Sequence, residues 1–376
     1  MTTAATAGSA QERALLEAAR GGSENAFRDL TEPHRRELQA HCYRMLGSVQ
    51  DAEDAVQDAL LRAWRALPRF EPRHSLRAWL YKIATNVCLD MIARRPKRVL
   101  PIDYGPSADP HVRAKKPTEE GAPIVESVWI EPYPDEQLGG EDGYTAPEAR
   151  YEQREGVELA FVAAIQHLPP RQRAALILRE VLGFSAKETA DSLDTTPQSV
   201  NSALQRARAT VEERLPEQSQ QKTLRMLGDK QLRALVERFT DAMQREDIPA
   251  VVSMLAKDAA WSMPPLASWY RGEDIPGFLE LGPLSRRWRW RYVPAHANGQ
   301  VATAAYVWRD REQAFLPFAL NVLSFEGEQI KEVTSFLNRV LKGSDPDYYA
   351  RFPDQDVDPD FNRAYFERFG LPAQLD

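Results

Sequence analysis

Two helix starts follow one another closely between Leu168 and Arg208, and together they leave few folds open to that stretch. Ser185-Ala-Lys-Glu188 has the form of a capping box: the serine hydroxyl satisfies a free backbone N–H and the glutamate reaches back to the cap. The short helix it starts ends near Leu193, and Asp194-Thr195 makes a turn. Thr196 then caps a second helix, with Pro197 at the first position, where its missing N–H costs nothing. In that helix Val200, Ala203, Leu204, Ala207 and Val211 form one apolar stripe. The opposite face carries Gln198, Asn201, Ser202, Gln205, Arg206 and Arg208, groups suited to base edges and phosphates in a major groove. Small residues at the crossing (Ala186, Ala190, Ala203) favour a DNA-binding helix-turn-helix over a plain helical hairpin with a wet face. The motif alone does not separate a repressor, an activator and an initiation factor.

Two further helices lie near the N-terminus. In Asp51–Leu67, Ala52, Ala55, Val56, Ala59, Leu60, Ala63 and Trp64 face inward at helical spacing, while Asp51, Asp54 and Asp58 share an outer face flanked by Glu53 and Gln57. Clustered carboxylates repel one another, so the helix does not need them for itself. No loop of calcium-binding spacing is present, and an exposed helix offers no desolvation to split the pKa values of a catalytic pair. A docking face for a basic protein partner fits better than either, with a solvated face as the bland alternative. The next helix, Ser75 to about Arg94, has an inner stripe of Leu76, Leu80, Ile83, Val87 and Met91. Trp79, Lys82 and Asn86 sit on a second face, and Arg94, Arg95, Lys97 and Arg98 follow. An aromatic, a base and an amide together suit single-stranded or melting DNA, through stacking, phosphate contact and hydrogen bonding. Taken alone, Trp79 reads better as core, and the helix-turn-helix downstream is what weakens that reading.

The chain has 376 residues, too many for one ordinary core, with a hydrophobic content of 43% and a charged content of 27%. Its net charge of −7 would argue against nucleic acid if it were evenly spread. It is segregated: Arg69 to Arg98 is strongly basic and Glu119 to Glu155 mostly acidic, which implies different partners for different parts. The apolar runs are far too short to span a bilayer, and the N-terminus lacks the basic start and apolar stretch of a signal peptide. Cys42 and Cys88 cannot form a disulfide framework and read as small core residues. Cytoplasmic location without membrane contact is the expectation.

The helical stretches resemble a known family. EPHRRELQAHCYRMLGSVQDAEDAVQDALLRAW, SLRAWLYKIATNVCLDMIARR and LPPRQRAALILREVLGFSAKETADSLDTTPQSVNSALQRAR look like the two core domains of the extracytoplasmic-function sigma factors, over roughly residues 27–98 and 157–215. AWSMPPLASWYRG and the closing FERFGLP resemble a subgroup with a C-terminal SnoaL-like domain, of the fold shared with nuclear transport factor 2. The fold implied is multidomain. Two all-α domains, 11–98 and the helix-turn-helix domain 151–216, flank a Pro-rich acidic linker at 99–150. An α+β SnoaL-like cone domain follows at 224–342, and then a tail at 343–376.

The resemblance also implies partners and roles. The partners are core RNA polymerase, through the clamp of its largest subunit and its flap, and promoter DNA. Asp51, Glu53, Asp54, Gln57 and Asp58 would hold the clamp. Lys82 and Asn86 would contact the minus-ten element. The loop from Phe70 through Arg73 to His74 would hold a flipped base, and Trp79 would wedge the duplex open. Gln198, Asn201, Ser202, Gln205, Arg206 and Arg208 would serve the minus-thirty-five element. The acidic linker would thread toward the polymerase active site and RNA exit path, its charge imitating nucleic acid in a basic channel. Three departures from the simplest family pattern stand out: the long linker, an inserted-looking SDPDYYARFPDQDVDPDFNRAY before the closing motif, and Gln205 where an aromatic or basic residue is often found.

Five of the eight tryptophans fall in the C-terminal domain. A ligand pocket lined by some of Trp261, Met263, Trp269, Tyr270, Tyr306 and Trp308 is one reading, and ordinary core is the other. His296, Asp258 and Asp310 show no diagnostic catalytic spacing, so the expectation is a regulatory domain rather than an enzyme, without cofactor or metal. The alternatives are a ligand-responsive helix-turn-helix regulator that never acts as sigma, and an isomerase-like enzyme with a DNA-binding appendage. Neither accounts for the acidic helix and the Trp79–Asn86 helix.

Overall fold

A computed structural model describes residues 3–71, 75–111, 128–138, 154–338 and 359–376. The helices in chain order are α1 (Thr3–Arg20), α2 (Glu24–Leu46), α3 (Val49–Ala66), α4 (Leu76–Ile92), the single turn α5 (Pro101–Tyr104), α6 (Leu159–Gln166), α7 (Pro170–Leu176), α8 (Ala186–Ser192), α9 (Pro197–Glu212), α10 (Gln220–Gln244), α11 (Ile248–Ser253), α12 (Asp274–Leu281) and α13 (Pro359–Glu367). The strands are β1 (Leu255–Ser262), β2 (Trp269–Arg271), β3 (Trp290–Ala297), β4 (Gln300–Arg309), β5 (Ala314–Glu326) and β6 (Gln329–Leu337). The chain divides into two compact units, one of residues 1–96, 137–145 and 164–214, the other of 97–136, 146–163 and 215–376. Among the described residues no helix is long and apolar enough to cross a membrane.

In the first unit, serines start three helices: Ser23, Ser48 and Ser75 accept from the backbone N–H of Ala26, Asp51 and Ala78. Gly47 ends α2 at φ 71°, a left-handed turn that a side chain would strain. The fully buried alanines of α3 (Ala52, Ala55, Ala63) let α2 and α4 approach closely around Tyr43, Met45, Leu80 and Tyr81. Cys42 and Cys88 are free thiols in this core. His41 is buried with Nε2 2.9 Å from Thr85 Oγ1, and burial pushes its pKa down to about 3, so it is neutral.

The two helix starts form as their sequence requires. Ser185 N–H donates to Glu188 Oε2 at 2.8 Å while Glu188 N–H donates to Ser185 Oγ at 3.2 Å, and Thr196 Oγ1 accepts from Ser199 N–H. Asp194 makes the turn at φ 48°. Val200, Leu204, Ala207 and Val211 are buried along α9. Arg173 of α7 is buried and donates to the carbonyls of Met45, Gln166 and Leu168 and to Gln166 Oε1, which ties α7 to the end of α2.

The second unit is built on a six-stranded sheet of order β2-β1-β6-β5-β4-β3, antiparallel except for the β1–β6 pair. Its core face packs Trp261, Tyr270, Trp290, Tyr292, Val307 and Leu323 against Phe239 of α10 and Phe278 of α12. The unit is α+β, as expected. Gly228, at φ 72°, breaks α10 into two segments.

Two segments are more ordered than their composition suggests. Part of the stretch read as a linker packs within the α+β unit: Trp129, Ile130 and Tyr133 are buried and Val99 pairs with Trp129. The β3–β4 turn holds it. Asn298 N–H donates to Tyr133 O, Asn298 Oδ1 accepts from Tyr133 N–H at 2.9 Å, and Gly299 N–H donates to Asp135 at 2.7 Å. Trp269 Nε1 donates to Gly105 O at 2.8 Å. The closing FERFGLP motif docks on the sheet, with Phe366 fully buried against Tyr306, Tyr306 Oη donating to Pro372 O, and Leu375 pairing with Phe315.

Candidate nucleic-acid and polymerase interfaces

The α9 face is the simplest of the expected sites. Gln198, Asn201, Ser202, Gln205, Arg206 and Arg208 are all exposed because Val200, Leu204, Ala207 and Val211 occupy the opposite face. Arg208 is held in a salt bridge by Glu180. The N-terminus of this helix, with the positive end of its dipole, sits beside the turn at Asp194.

On α3 the expected acidic face is only partly formed. Asp54 and Gln57 are exposed, Glu53 is half-buried, and Asp58 meets Arg62 at 2.9 Å. Arg62 also meets Asp90 of α4 at 3.0 Å, so its charge is held between two carboxylates and does not cancel Asp54. Asp51 departs from the expectation. Its side chain is 8% exposed and paired with Arg95, because the first turn of α3 lies under the end of α4 rather than on the free face. Sequence reading passed over Leu61, which is 56% exposed. It lies seven, four and three residues after Asp54, Gln57 and Asp58, so helical periodicity puts it on their face, and that spacing was the available signal.

The expected minus-ten residues divide three ways. Phe70 is buried, 5% exposed, and its ring lies 4.7 Å from Trp79, so it supports the half-buried tryptophan rather than opening a loop pocket itself. The carbonyl of Phe70 accepts from Arg20, which fixes this corner. Arg73 and His74 lie outside the described residues. Lys82 and Asn86 are half-buried on α4. Lys82 Nζ donates to Asp191 O and to Asp194 Oδ1, both at 2.7 Å, so the helix-turn-helix occupies it. Beside this contact Tyr81 and Phe184 meet at 5.3 Å, with the Arg77 guanidinium 4.9 Å from the Phe184 ring.

The six aromatic and sulfur residues grouped as a pocket do not share a face. Trp261, Met263 and Tyr270 pack on the core side, where Trp261 Nε1 donates to Ser335 Oγ at 3.0 Å and Tyr270 stacks on Phe278 at 4.3 Å. Tyr306 and Trp308 alternate along β4 with the core residues Ala305 and Val307 and so point the other way. Trp269 likewise alternates with Tyr270. The side of a strand on which a residue falls depends on register, which composition does not reveal.

A family model for sigma-70 region 2 matches residues 30–98 and one for sigma-70 region 4 matches residues 158–211. The chain is 41% identical over 314 residues to the ECF RNA polymerase sigma factor SigG of Mycobacterium tuberculosis, covering 83% of this chain and 81% of that protein. It is 28% identical over 194 residues to the ECF RNA polymerase sigma factor SigE of Mycolicibacterium smegmatis, covering 51% of this chain and 62% of that one. Among solved structures, that of the extracytoplasmic function sigma factor SigJ of Mycobacterium tuberculosis matches with a TM-score of 0.50 at 22% identity, over 82% of this chain and 95% of that chain, a likeness of fold.

Proposed function

The chain belongs to the extracytoplasmic-function sigma factors, which direct core RNA polymerase to promoters, and from that premise we propose how its residues divide the work. Asp54, Gln57, Asp58 and the exposed Leu61 form the clamp-docking face, an apolar centre rimmed by acid, while Asp51 positions the helix through Arg95. Asn201, Ser202, Gln205 and Arg206 read the minus-thirty-five element, with Gln198 and Arg208 at the edges of the contact. Trp79, backed by Phe70, together with Lys82 and Asn86, engages the minus-ten strand, and Arg73 and His74 are assigned to the same contact.

The C-terminal domain regulates by holding the linker. The observation that carries this is the grip of Asn298, Gly299 and Trp269 on Tyr133, Asp135 and Gly105, all within one unit. A linker so held is not available to thread the polymerase, and whatever favours its release favours initiation. A small-molecule ligand of this domain would act on the core-side residues Trp261, Met263 and Tyr270 and not on Trp269, Tyr306 or Trp308. Its role is binding rather than catalysis.

Run-off transcription with purified core polymerase on a promoter library tests the assignment. Promoter-specific transcripts that depend on the full chain are expected, with Asn298→Ala raising their yield. Specific DNA binding by the chain alone, without any transcript, would instead favour the ligand-responsive regulator.

A further inference from the structure

We propose that the C-terminal domain carries its own DNA-contact surface, formed by Arg286, Arg287, Arg289 and Arg291 where the chain enters β3, beside the closing motif that covers Tyr306. The segment Arg286-Arg-Trp-Arg-Trp-Arg291 holds four positive charges and no acid in a chain whose net charge is −7. Strand alternation sorts it. Trp290 and Tyr292 enter the core, so Arg289 and Arg291 point outward, while Arg286 and Arg287 lie in the bend that leads into β3, and all four arginines are exposed.

Two of these arginines are already posed. The Arg289 guanidinium lies 4.2 Å from the Trp308 ring and that of Arg291 lies 5.3 Å from the Phe315 ring. The rows are fixed by pairing: Trp308 N–H donates to Arg289 O, and Trp308 stands opposite Phe315. A guanidinium laid on a ring keeps its N–H edge for a bidentate acceptor and loses less freedom on binding. Because the rings are covered, bases have no face to stack on, and the surface suits phosphates, read without regard to sequence. Two acids border the patch without filling it: Asp310 lies 4.0 Å from Arg289 and accepts from Trp308 Nε1, and Glu312 pairs with Arg309.

Duplex DNA is the occupant because a promoter-directed chain meets it in every productive complex. In that respect the inference rests on the sigma reading. The mode of contact stands on the patch.

The test is the dependence of duplex DNA affinity on salt, measured for the full-length chain alone and for holoenzyme on a promoter fragment. Each arginine that meets a phosphate contributes about 0.9 to the slope of log affinity against log salt. The exposed pair changed as R286Q/R287Q, which disturbs no ring contact, is expected to lower the slope by roughly 1.8. The charge-preserving R289K/R291K is expected to keep it. An unchanged slope for R286Q/R287Q in both chain and holoenzyme, with an unaltered melting temperature, overturns the proposal. An unchanged DNA slope with weakened binding of polyuridine RNA overturns it in favour of the transcript. An equal loss in R289K/R291K also overturns it, since charge would then not be the cause. The slope of the free chain does not depend on core polymerase, so a failure of the sigma reading, seen as absent run-off transcripts, is distinguished from a failure here.

Discussion

Removing the Asp194 carboxylate tests whether the helix-turn-helix restrains the minus-ten face. Lys82 and Asp194 form an ion pair at 2.7 Å with side chains 37% and 69% exposed. An exposed pair of this kind is worth roughly 0.2–1 kcal/mol, which moves a closed–open equilibrium by about 1.4- to 5-fold. Where the closed form dominates, that whole factor appears in the apparent Kd for a minus-ten strand. Asp194→Gly is the informative change, because φ 48° is natural to glycine and strained for alanine. Fluorescence anisotropy with a labelled non-template oligonucleotide should show tighter binding within that factor at low salt. The gain should vanish near 1 M salt, where the screening length is about 3 Å. In a Lys82→Ala background the substitution should do nothing. No tightening at low salt, or a gain that survives 1 M, would refute the reasoning. The gain is bounded because Lys82 keeps Asp191 O and because Arg173 holds the same two helical halves more firmly. Of the four hydrogen bonds its buried guanidinium makes, the one to Met45 O crosses between the halves and is of a kind worth roughly 1.5–3 kcal/mol, and although burial lowers its pKa to about 10 it is charged at neutral pH.

Other expectations follow from the same contacts. Asp54→Arg puts a cation into the acidic rim of the clamp-docking face and should weaken core binding at least tenfold by surface plasmon resonance while leaving the fold intact. Asn201→Ala with Arg206→Ala should cost about 1–3 kcal/mol per base contact and erase the footprint at the upstream element, with core affinity unchanged. Phe366→Ala removes a fully buried ring packed 5.2 Å from Tyr306 and should cost about 3–5 kcal/mol in urea melts. Glu158, buried and accepting from Gln220 and Gln221 N–H, has its carboxyl pushed up to about 7 by burial. Its folded pKa exceeds its unfolded one, so the folded chain keeps a proton that the unfolded chain has released. Stability therefore falls as pH rises from about 4.3 to about 7 and levels off above. Glu158→Gln should remove its share of that fall, leaving the share of Glu332, also pushed up to about 7. Equal pH slopes in variant and wild type would contradict this.

What was legible in the sequence was what local chemistry decides. The capping box at Ser185 and the cap at Thr196 need only neighbours within one turn, and both formed. The exposed reading face of α9 followed from a single helical stripe. What failed needed contacts distant in sequence. Asp51 belongs to the same helix as Asp54, yet Arg95 covers it, and nothing in α3 announces that. The grouping of Trp261 with Tyr306 and Trp308 ignored the side of the sheet each occupies. The linker's Pro and acid content predicts little core of its own, yet its apolar patch at Ile124–Ile130 is visible in the sequence as a docking segment, and Trp129 and Ile130 of that patch are buried together with Tyr133.

That anchoring bears on how such a chain can be switched. Burying a side chain the size of Ile130 or Tyr133 is worth about 1.5–3 kcal/mol, and Asn298 adds hydrogen bonds at both edges of the Tyr133 peptide. A polymerase channel that draws the linker away must offset this with its own basic groups. On that reading the balance is set by a few residues of the β3–β4 turn, where Gly299, at φ 68°, disfavours a side chain and a Cβ would come within 3.1 Å of Arg154. If the linker is held as proposed, a grip of several kcal/mol is large enough to keep it from the polymerase channel. It is also small enough for the many contacts of core polymerase to overcome, so initiation can be graded by anything that changes the grip of that turn.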